Sequence, residues 1–317
     1  MPAAPIVLVV GGICHDFFCY VDRFPRAGET VNGHDFRMGS GGKGASAAVM
    51  CSKLGAAVSM VGVVGAKDPF GDISIQSMRD AGVRTELITR TTAAMTATAS
   101  ITVDSNGENF IVTNLRANQH LLPARVHELE AKVARSAMIL CQFEIPHKTN
   151  LAAFKLARKH KVTTFLNAAP ARTELSLDDP LFSLTDVLCI NQTECGALVG
   201  EELRGLAEFE AAIPKILASG PRIVIVTLGA DGALVGSREE NGKVRIAKVD
   251  APKVDVVDTT GAGDCFCGAF AYFFLQSNGD FVLAAEKAAQ IAALSVTKAG
   301  NQNSYPTVET LKALGIL

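Results

Sequence analysis

Short runs of apolar residues recur along the chain, and longer stretches with helical periodicity separate them. The runs lie at 6–10, 57–64, 138–143, 163–166, 187–190 and 223–227. Because they are uninterrupted, they are typical of parallel strands covered on both faces. Helices are predicted between them, at about 39–54, 68–82, 123–136, 146–160, 192–199 and 207–217. Strands that alternate with helices predict an α/β fold, with a doubly wound, mostly parallel sheet and helices on both faces.

Four shorter segments do not follow this alternation, and they predict a second sheet. They lie at 17–21, 30–37, 97–103 and 109–114. The last two flank a turn that contains Asn106-Gly107, a strong hairpin signal. None of the four can bury itself alone, so together they predict a small antiparallel sheet, from about 17–37 and 97–114. The chain has no Pro- or Ser-rich linker and no internal repeat, so residues 1–317 are expected to form one α/β domain that carries this sheet.

The segment 257–266 combines small residues and an acid at a predicted helix start. The alternating run 244–257 before it predicts a strand and an approach loop. Apolar residues after it recur at spacings of three and four, which predicts one buried helical face. The small residues Gly261, Ala262 and Gly263 therefore lie in a first helical turn. Main-chain N–H groups lack partners there, so an anion can approach them closely.

Asp264 lies in the same turn, and two interpretations of it are open. A carboxylate at this place either satisfies the helix N-terminus or takes part in chemistry. For an isolated Gly-x-Gly-Asp the first interpretation is simpler. Here an anion site and a carboxylate share one turn, which favours a base that accepts a proton from a hydroxyl while the N–H groups stabilise a transferring phosphoryl group.

Polar residues follow two other predicted strands at their carboxyl ends, where open α/β sheets bind ligands. Asp16 follows the run 6–10, and Glu144 follows the run 138–143. Each is either a turn or cap residue or a ligand contact. Gly42 and Lys43 open a helix after a glycine-rich stretch, where N–H groups and one cation could meet ligand oxygens. This stretch lacks the spacing of a Walker A loop, and a flexible turn is the alternative interpretation.

Asn191 and Glu194 have the spacing of a helix capping box, because they are three residues apart after an apolar run. The alternative places both near Mg²⁺ and nucleotide phosphates, where Mg²⁺ keeps much of its hydration. The two roles are compatible. Thr227 ends another apolar run, and by itself it is an ordinary junction between strand and loop.

Composition and charge narrow the classes of function. Lys+Arg number 30 and Asp+Glu 32, for a net charge of −2 without blocks of like charge. No nucleic-acid partner and no membrane contact are therefore expected. Residues 1–10 lack the basic start of a signal peptide, so a cytoplasmic location is expected. The eight cysteines form no Cys-x-x-Cys pair and no zinc spacing, which predicts free buried thiols.

The stretch Asp-Thr-Thr-Gly-Ala-Gly-Asp at 258–264 resembles the signature of the ribokinase-like (PfkB-type) carbohydrate kinases. The Gly-Gly-Lys-Gly-Ala segment at 41–45 resembles another signature of this family. The resemblance implies ATP-dependent phosphorylation of a sugar, with D-ribose at O5 as the expected acceptor and D-ribose 5-phosphate as the product. Asp264 would be the catalytic base, and 261–263 would form the anion hole. The second sheet would be a lid over the sugar and the contact of a homodimer.

The resemblance also implies ligand contacts along the whole chain. Those on the sugar side are Asp16, Gly42, Lys43, Ser46, Asn118, Glu144 and Asp264. Those on the nucleotide side, with Mg²⁺, are Asn191, Glu194, Thr227, Gly229, Gly232 and Gly263. An activating K⁺ would be bound by Asp258, Thr260, Ser295, Lys298, Gly300 and Ser304. Two positions where the family usually has Asn differ in this sequence, Cys14 and Ser46.

Two alternatives to a ribose kinase remain open at this stage. A kinase of the same family could act on another sugar or on a nucleoside, since Cys14 and Ser46 alter the sugar side. A protein of the same fold could also bind a sugar or a nucleotide without catalysis. The acid and the small residues in one turn argue against this second alternative.

Overall fold

The computed structural model describes residues 5–239 and 242–317. Its strands are β1 Ile6–Val10, β2 Cys14–Val21, β3 Gly33–Gly41, β4 Ala57–Val61, β5 Val63–Gly65, β6 Thr89–Thr91, β7 Ala97–Val103, β8 Asn109–Asn114, β9 Met138–Gln142, β10 Thr163–Asn167, β11 Val187–Asn191, β12 Ile223–Thr227, β13 Ala233–Arg238 and β14 Val244–Val249.

Its α-helices are α1 Lys43–Lys53, α2 Phe70–Asp80, α3 Pro123–Glu128, α4 Glu130–Val133, α5 His147–Lys159, α6 Pro180–Ser183, α7 Gln192–Val199, α8 Leu206–Ala218, α9 Ala262–Gln276, α10 Phe281–Ser295 and α11 Val308–Ala313. Short 3₁₀ helices lie at Arg116–His120, Gly229–Asp231 and Gln302–Ser304.

Eight strands form the central sheet, in the order β14-β13-β12-β11-β10-β9-β1-β4. The strands from β12 to β4 are parallel, and β13 and β14 add an antiparallel edge. One face packs on α1, α9 and α10, and the opposite face packs on α3, α5, α7 and α8. In β1, Val7 and Val9 face one layer while Leu8 and Val10 face the other. The predicted doubly wound architecture is therefore confirmed.

Several elements differ from the sequence prediction. The expected helix at 123–136 is two short helices, α3 and α4, because Leu129 leaves the helical conformation with ψ 15°. The apolar run 57–64 is split at Gly62, where a Cβ atom would come within 2.7 Å of Ile13 Cδ1. The run 244–257 is a strand only as far as Val249, and β13 was not predicted.

The lid is a four-stranded sheet in the order β3-β2-β7-β8. The pairs β2–β3 and β7–β8 are antiparallel, as expected, but β2 and β7 run parallel, so the lid is not purely antiparallel. Cys14 and Ala97 begin these two strands and pair with each other. Along β8, Ile111 lies in the cavity beneath the lid, while Phe110 and Val112 lie on the outer face and are 66% and 62% exposed.

No helix of the described residues is long and apolar enough to cross a membrane. All eight cysteines are free thiols, and seven of them are buried. The prediction of free, mostly buried thiols is confirmed.

Candidate active site

A cavity of about 280 Å³ lies at the carboxyl edge of the central sheet, beneath the lid. The carboxyl ends of β9, β10, β11 and β12 meet there, so residues far apart in sequence become neighbours. Most of the predicted site residues line it: Asp16, Gly42, Lys43, Glu144, Asn191, Glu194, Thr227, Thr260, Gly261, Gly263 and Asp264. Lid residues close it from above.

The turn before α9 is shaped by Gly261. Its φ of 77° is left-handed, and a Cβ atom there would lie 2.1 Å from Asn301 Oδ1. The Tyr305 hydroxyl donates to the Gly261 carbonyl oxygen at 2.9 Å, which fixes the turn from behind. Ala262 begins the helix, and Gly263 lines the cavity with no atom within 4 Å of the place of its Cβ. The helix N-terminus therefore presents positive main-chain potential to the cavity.

Asp264 is buried in the first turn of α9 and lines the same cavity. Asn167, the last residue of β10, donates from Nδ2 to Asp264 Oδ1 at 3.2 Å. Burial raises the pKa of Asp264, and the opposing effects of Lys43 and Asn167 are smaller. The carboxylate is oriented, partly desolvated and beside the helix N-terminus, as a proton acceptor in phosphoryl transfer requires.

Four acids and one lysine occupy the floor of the cavity. The acids are Asp16, Glu144, Glu194 and Asp264. Burial raises the pKa of Asp16 to about 6, and raises those of Glu144 and Glu194 to about 7. Burial alone would lower the pKa of Lys43, but the surrounding carboxylates outweigh it and hold this pKa above its ordinary value. Lys43 therefore stays a cation and partly offsets the repulsion among the acids.

The two acids predicted to contact a sugar are each fixed by a specific contact. Asp16 Oδ2 accepts from Asn301 Nδ2 at 3.1 Å, and Glu144 Oε2 accepts from the Lys43 main-chain N–H at 2.8 Å. Two glycines leave room for them. A Cβ on Gly41 would lie 2.0 Å from Asp16 Oδ2, and one on Gly12 would lie 2.2 Å from Glu144 Oε2.

Two other predicted sugar contacts lie behind the cavity wall rather than along it. Ser46 is fully buried in α1, and its hydroxyl donates to Asn301 Oδ1 at 3.2 Å. Asn118 is also fully buried, and its Oδ1 accepts from the Ile13 N–H at 3.1 Å. Cys14, in contrast, lines the cavity.

On the nucleotide side, Asn191 and Glu194 form the predicted capping box. Glu194 N–H donates to Asn191 Oδ1, and Asn191 N–H donates to Glu194 Oε2, both at 2.8 Å. Both residues also line the cavity, so capping and ligand contact are compatible. Gly229 and Gly232 lie in the turn after β12, apart from the residues that line the cavity.

Asp258 joins the turn before α9 to the loop after α10. Its Oδ1 accepts from the Thr260 N–H at 2.9 Å, and its Oδ2 accepts from the Gly300 N–H at 2.8 Å. Thr260 Oγ1 is buried and has no hydrogen-bond partner in the described part of the chain. Ser304 Oγ donates to the Asn301 carbonyl oxygen at 2.8 Å within the same loop. One carboxylate, an unpartnered hydroxyl and loop carbonyls form an oxygen-rich donor set suited to a monovalent cation.

The residues that line the cavity without having been assigned to the site from the sequence include Asn167, Cys189, Cys267 and Asn301. Asn167 directly follows an apolar run, and the rule that ligands bind at strand ends could have identified it. Asn301 lies in a polar loop, where no local pattern distinguishes it from its neighbours.

The model of the pfkB family carbohydrate kinases matches residues 5–308. The chain belongs to this family. It is 35% identical to the ribokinase of Mus musculus, over 96% of this chain and 92% of that protein. It is 37% identical to the ribokinase of Lactococcus lactis, over 97% of this chain and 96% of that protein. A deoxyribokinase of Salmonella typhi is 34% identical, over 96% of both.

Solved structures of the family agree with the fold. The ribokinase of Giardia lamblia superposes with a TM-score of 0.88 at 29% identity, covering 98% of this chain and all of that one. The ribokinase of Arabidopsis thaliana, solved with ribose and ATP, has a TM-score of 0.86 at 28% identity, covering 98% of this chain and 99% of that one. The chain is accordingly a ribokinase-type sugar kinase.

Proposed function

We propose that the protein transfers the γ-phosphoryl group of ATP to the 5-hydroxyl of D-ribose, giving D-ribose 5-phosphate and ADP. The observation that carries this proposal is the single turn in which Asp264 and the N-terminus of α9 face one cavity. The Arabidopsis thaliana relative, solved with ribose and ATP, supports the two substrates.

In the proposed reaction the primary hydroxyl of the sugar lies beside Asp264. Asp264 accepts the hydroxyl proton as the oxygen attacks the γ-phosphorus, and the bond from that phosphorus to the β–γ bridging oxygen breaks. The bridging oxygen leaves as part of ADP. Main-chain N–H groups at Gly261 to Gly263 stabilise the negative charge on the transferring group. The raised pKa of Asp264 improves its match to the proton that it accepts.

The remaining sugar hydroxyls would be held on the floor of the cavity by Asp16, Glu144 and Lys43. The two carboxylates accept hydrogen bonds from hydroxyls, and Lys43 donates to a sugar oxygen. Because each acid is already fixed by one protein contact, it presents a defined oxygen to the ligand.

Mg²⁺ would be held through waters by Asn191 and Glu194. The donor set fits, because Glu194 lines the cavity with one carboxylate oxygen engaged in the capping box and the other available. When bound, the ion would supply positive charge that offsets the charge of the phosphates. Thr227, with Gly229 and Gly232 in the following turn, would contact the nucleotide.

K⁺ would be bound by the Asp258 carboxylate, the Ser304 hydroxyl and main-chain carbonyls of Thr260, Ser295, Lys298 and Gly300. The unpartnered Thr260 hydroxyl supports a polar ligand in this loop pair. The charge of the ion would stabilise the loops that form the anion hole without touching the sugar.

The outer face of the lid supports a homodimer. Four exposed apolar side chains lie on the two edge strands of the lid, Phe36 and Met38 on β3 and Phe110 and Val112 on β8. A second copy would remove them from water. A cytoplasmic location stays a prediction.

The decisive experiment measures ADP release with ribose, ATP and Mg²⁺, with and without K⁺. We expect turnover that K⁺ raises, and NMR of the product should place the phosphate on C5. Phosphorylation of fructose or adenosine in place of ribose would contradict the acceptor, and no ADP release with any of these acceptors would contradict catalysis itself.

Deoxyribose is the second candidate acceptor. The deoxyribokinase of Salmonella typhi is 34% identical to this chain and the ribokinase of Mus musculus 35%, so identity does not separate the two activities. The ratio of kcat/KM for ribose and 2-deoxyribose in the same assay decides between them.

A further inference from the structure

Asn301 occupies a central place in the sugar half of the cavity. It is 7% exposed, lines the cavity and directly precedes the 3₁₀ helix Gln302–Ser304. Its Nδ2 donates to Asp16 Oδ2 at 3.1 Å. An amide from the C-terminal loop therefore fixes the carboxylate near the start of β2.

The Asn301 amide is held in one orientation by its neighbours. Its Oδ1 accepts from the Ser46 hydroxyl at 3.2 Å, and the Tyr305 hydroxyl is shared between this oxygen at 3.1 Å and the Gly261 carbonyl at 2.9 Å. Gln302 Nε2 donates to Ser46 Oγ at 3.3 Å, which directs the Ser46 proton towards Asn301. A flipped amide would place its oxygen against the Asp16 carboxylate, where neither group can donate.

Two glycines leave space for the two side chains of this contact. A Cβ on Gly41 would lie 2.0 Å from Asp16 Oδ2, and a Cβ on Gly261 would lie 2.1 Å from Asn301 Oδ1. A larger residue at either position would displace the side chain beside it. The contact between Asp16 and Asn301 is thus built into the shape of the site.

We propose that Asn301 is the positioning residue for Asp16. We propose further that Asn301 supplies to the sugar pocket an amide group, which the side chain of Ser46 lacks. This inference rests on the proposed function, since it concerns sugar binding. Ser46 is fully buried, so its hydroxyl acts on the pocket only through Asn301. With one Asp16 oxygen held by the amide, the other is aimed at a sugar hydroxyl.

Several titratable groups face Asp16 besides the amide. They are Cys14 on the same strand, Lys43 on α1, Glu144 after β9, Asp264 on α9 and Tyr305 in the C-terminal loop. Burial raises the pKa of Asp16, and the Asn301 hydrogen bond opposes this rise. Loss of the amide should therefore move the ionisation of Asp16 to higher pH.

The test compares Asn301→Ala with Asn303→Ala, an exposed asparagine in the same loop. For Asn301→Ala we expect the ribose KM to rise about tenfold or more, because a hydrogen bond to a charged group is lost. The ATP KM should change less than about twofold, and the acidic limb of kcat/KM for ribose should move to higher pH. Asn303→Ala should match the wild type. If Asn301→Ala does not fold, the isosteric Asn301→Asp should show the same changes.

A rescue variant separates this role from a structural one. Ser46→Asn in the Asn301→Ala background returns an amide to the same space and should recover part of the ribose affinity. No recovery, or a lower kcat at unchanged ribose KM in Asn301→Ala, would overturn the inference. Wild-type protein without ribose turnover would instead refute the proposed function, so the two failures are distinguishable.

Discussion

The floor of the cavity and the lid above it are stabilised in different ways. On the floor, Asp16, Glu144 and Asp264 each accept a hydrogen bond from a distant part of the chain, at 2.8–3.2 Å. The lid has a small buried cluster, formed by Cys14, Phe18, Ala97, Ala99, Ile101 and Val103. Its outer strand β8 is exposed along its whole length.

This difference assigns separate tasks to the two regions. The groups that we propose to react with the sugar or to align it lie on elements packed into two large cores, where their positions are fixed. The lid above them buries few apolar side chains of its own, so a ligand or a second copy of the protein would supply part of its stability. The following changes test this division, from the largest expected effect to the smallest.

Removing the base should have the largest effect. Asp264→Asn keeps the shape of the side chain but cannot accept the hydroxyl proton, so kcat should fall by about a thousandfold or more. ATP affinity by calorimetry and the Tm should be preserved. Asp178→Asn, an exposed acid in a loop, is the matched control. Turnover that persists in Asp264→Asn would show that another group accepts the proton.

Placing a methyl group beside Asp16 should have the next largest effect on activity. Gly41→Ala places a methyl group against Asp16 Oδ2, 2.0 Å away before relaxation, and should raise the ribose KM by about a hundredfold. Gly39→Ala is the control, since its Cβ would make only an ordinary contact at 3.8 Å with Phe18. Similar ribose KM values in the two variants would mean that the floor tolerates displacement of Asp16.

Charging the lid should change assembly more than chemistry. Val112→Asp puts a carboxylate on the outer face, where Val112 is 62% exposed, and should shift a dimer to a monomer in light scattering. The ribose KM should rise a few-fold, which corresponds to about 1 kcal/mol of binding free energy, because the lid packs less firmly over the cavity. Leu206→Asp, at an exposed apolar site outside the lid, should leave assembly unchanged. A wild-type protein that is monomeric would remove the basis of this prediction.

The smallest effect concerns stability and pH. The raised pKa of Glu144, about 7, means that the free protein loses stability as pH rises from about 4.5 to about 7, because the folded state retains the proton longer. Glu144→Gln removes this loss and can still accept from the Lys43 N–H. At pH 8 the free energy of unfolding of this variant should exceed that of the wild type by roughly 1–3 kcal/mol, and its Tm should be correspondingly higher. Ribose binding should weaken. Glu286→Gln, which replaces an exposed acid on α10 and keeps Glu144, should retain the wild-type dependence of stability on pH.

Ionisation of the floor acids should also shape activity. Asp16 and Glu144 accept more strongly from sugar hydroxyls when they are charged, so kcat/KM for ribose should rise as pH increases through about 6 to about 7 and then level off. A flat profile between pH 5 and 8 would contradict the assignment of both acids to the sugar.

The central sheet could be predicted because each strand is a local signal. The apolar run 187–190 was recognisable from the sequence, and Asn191, the polar residue directly after it, marks the edge of the sheet where ligands bind. The parallel pairing of β2 and β7 could not be predicted, since it depends on the tertiary arrangement of two strands that are distant in the sequence. The place of Ser46 was missed for a similar reason: the α1 pattern does not show that its hydroxyl faces Asn301.

The hydrogen bond between Asp16 and Asn301 spans 285 positions of the chain. During translation, the first half of the sugar pocket is therefore made long before the amide that completes it. Until residue 301 has been synthesised, a nascent chain lacks the amide that we propose to align Asp16 with a sugar. Ribose binding would thus report on full-length synthesis.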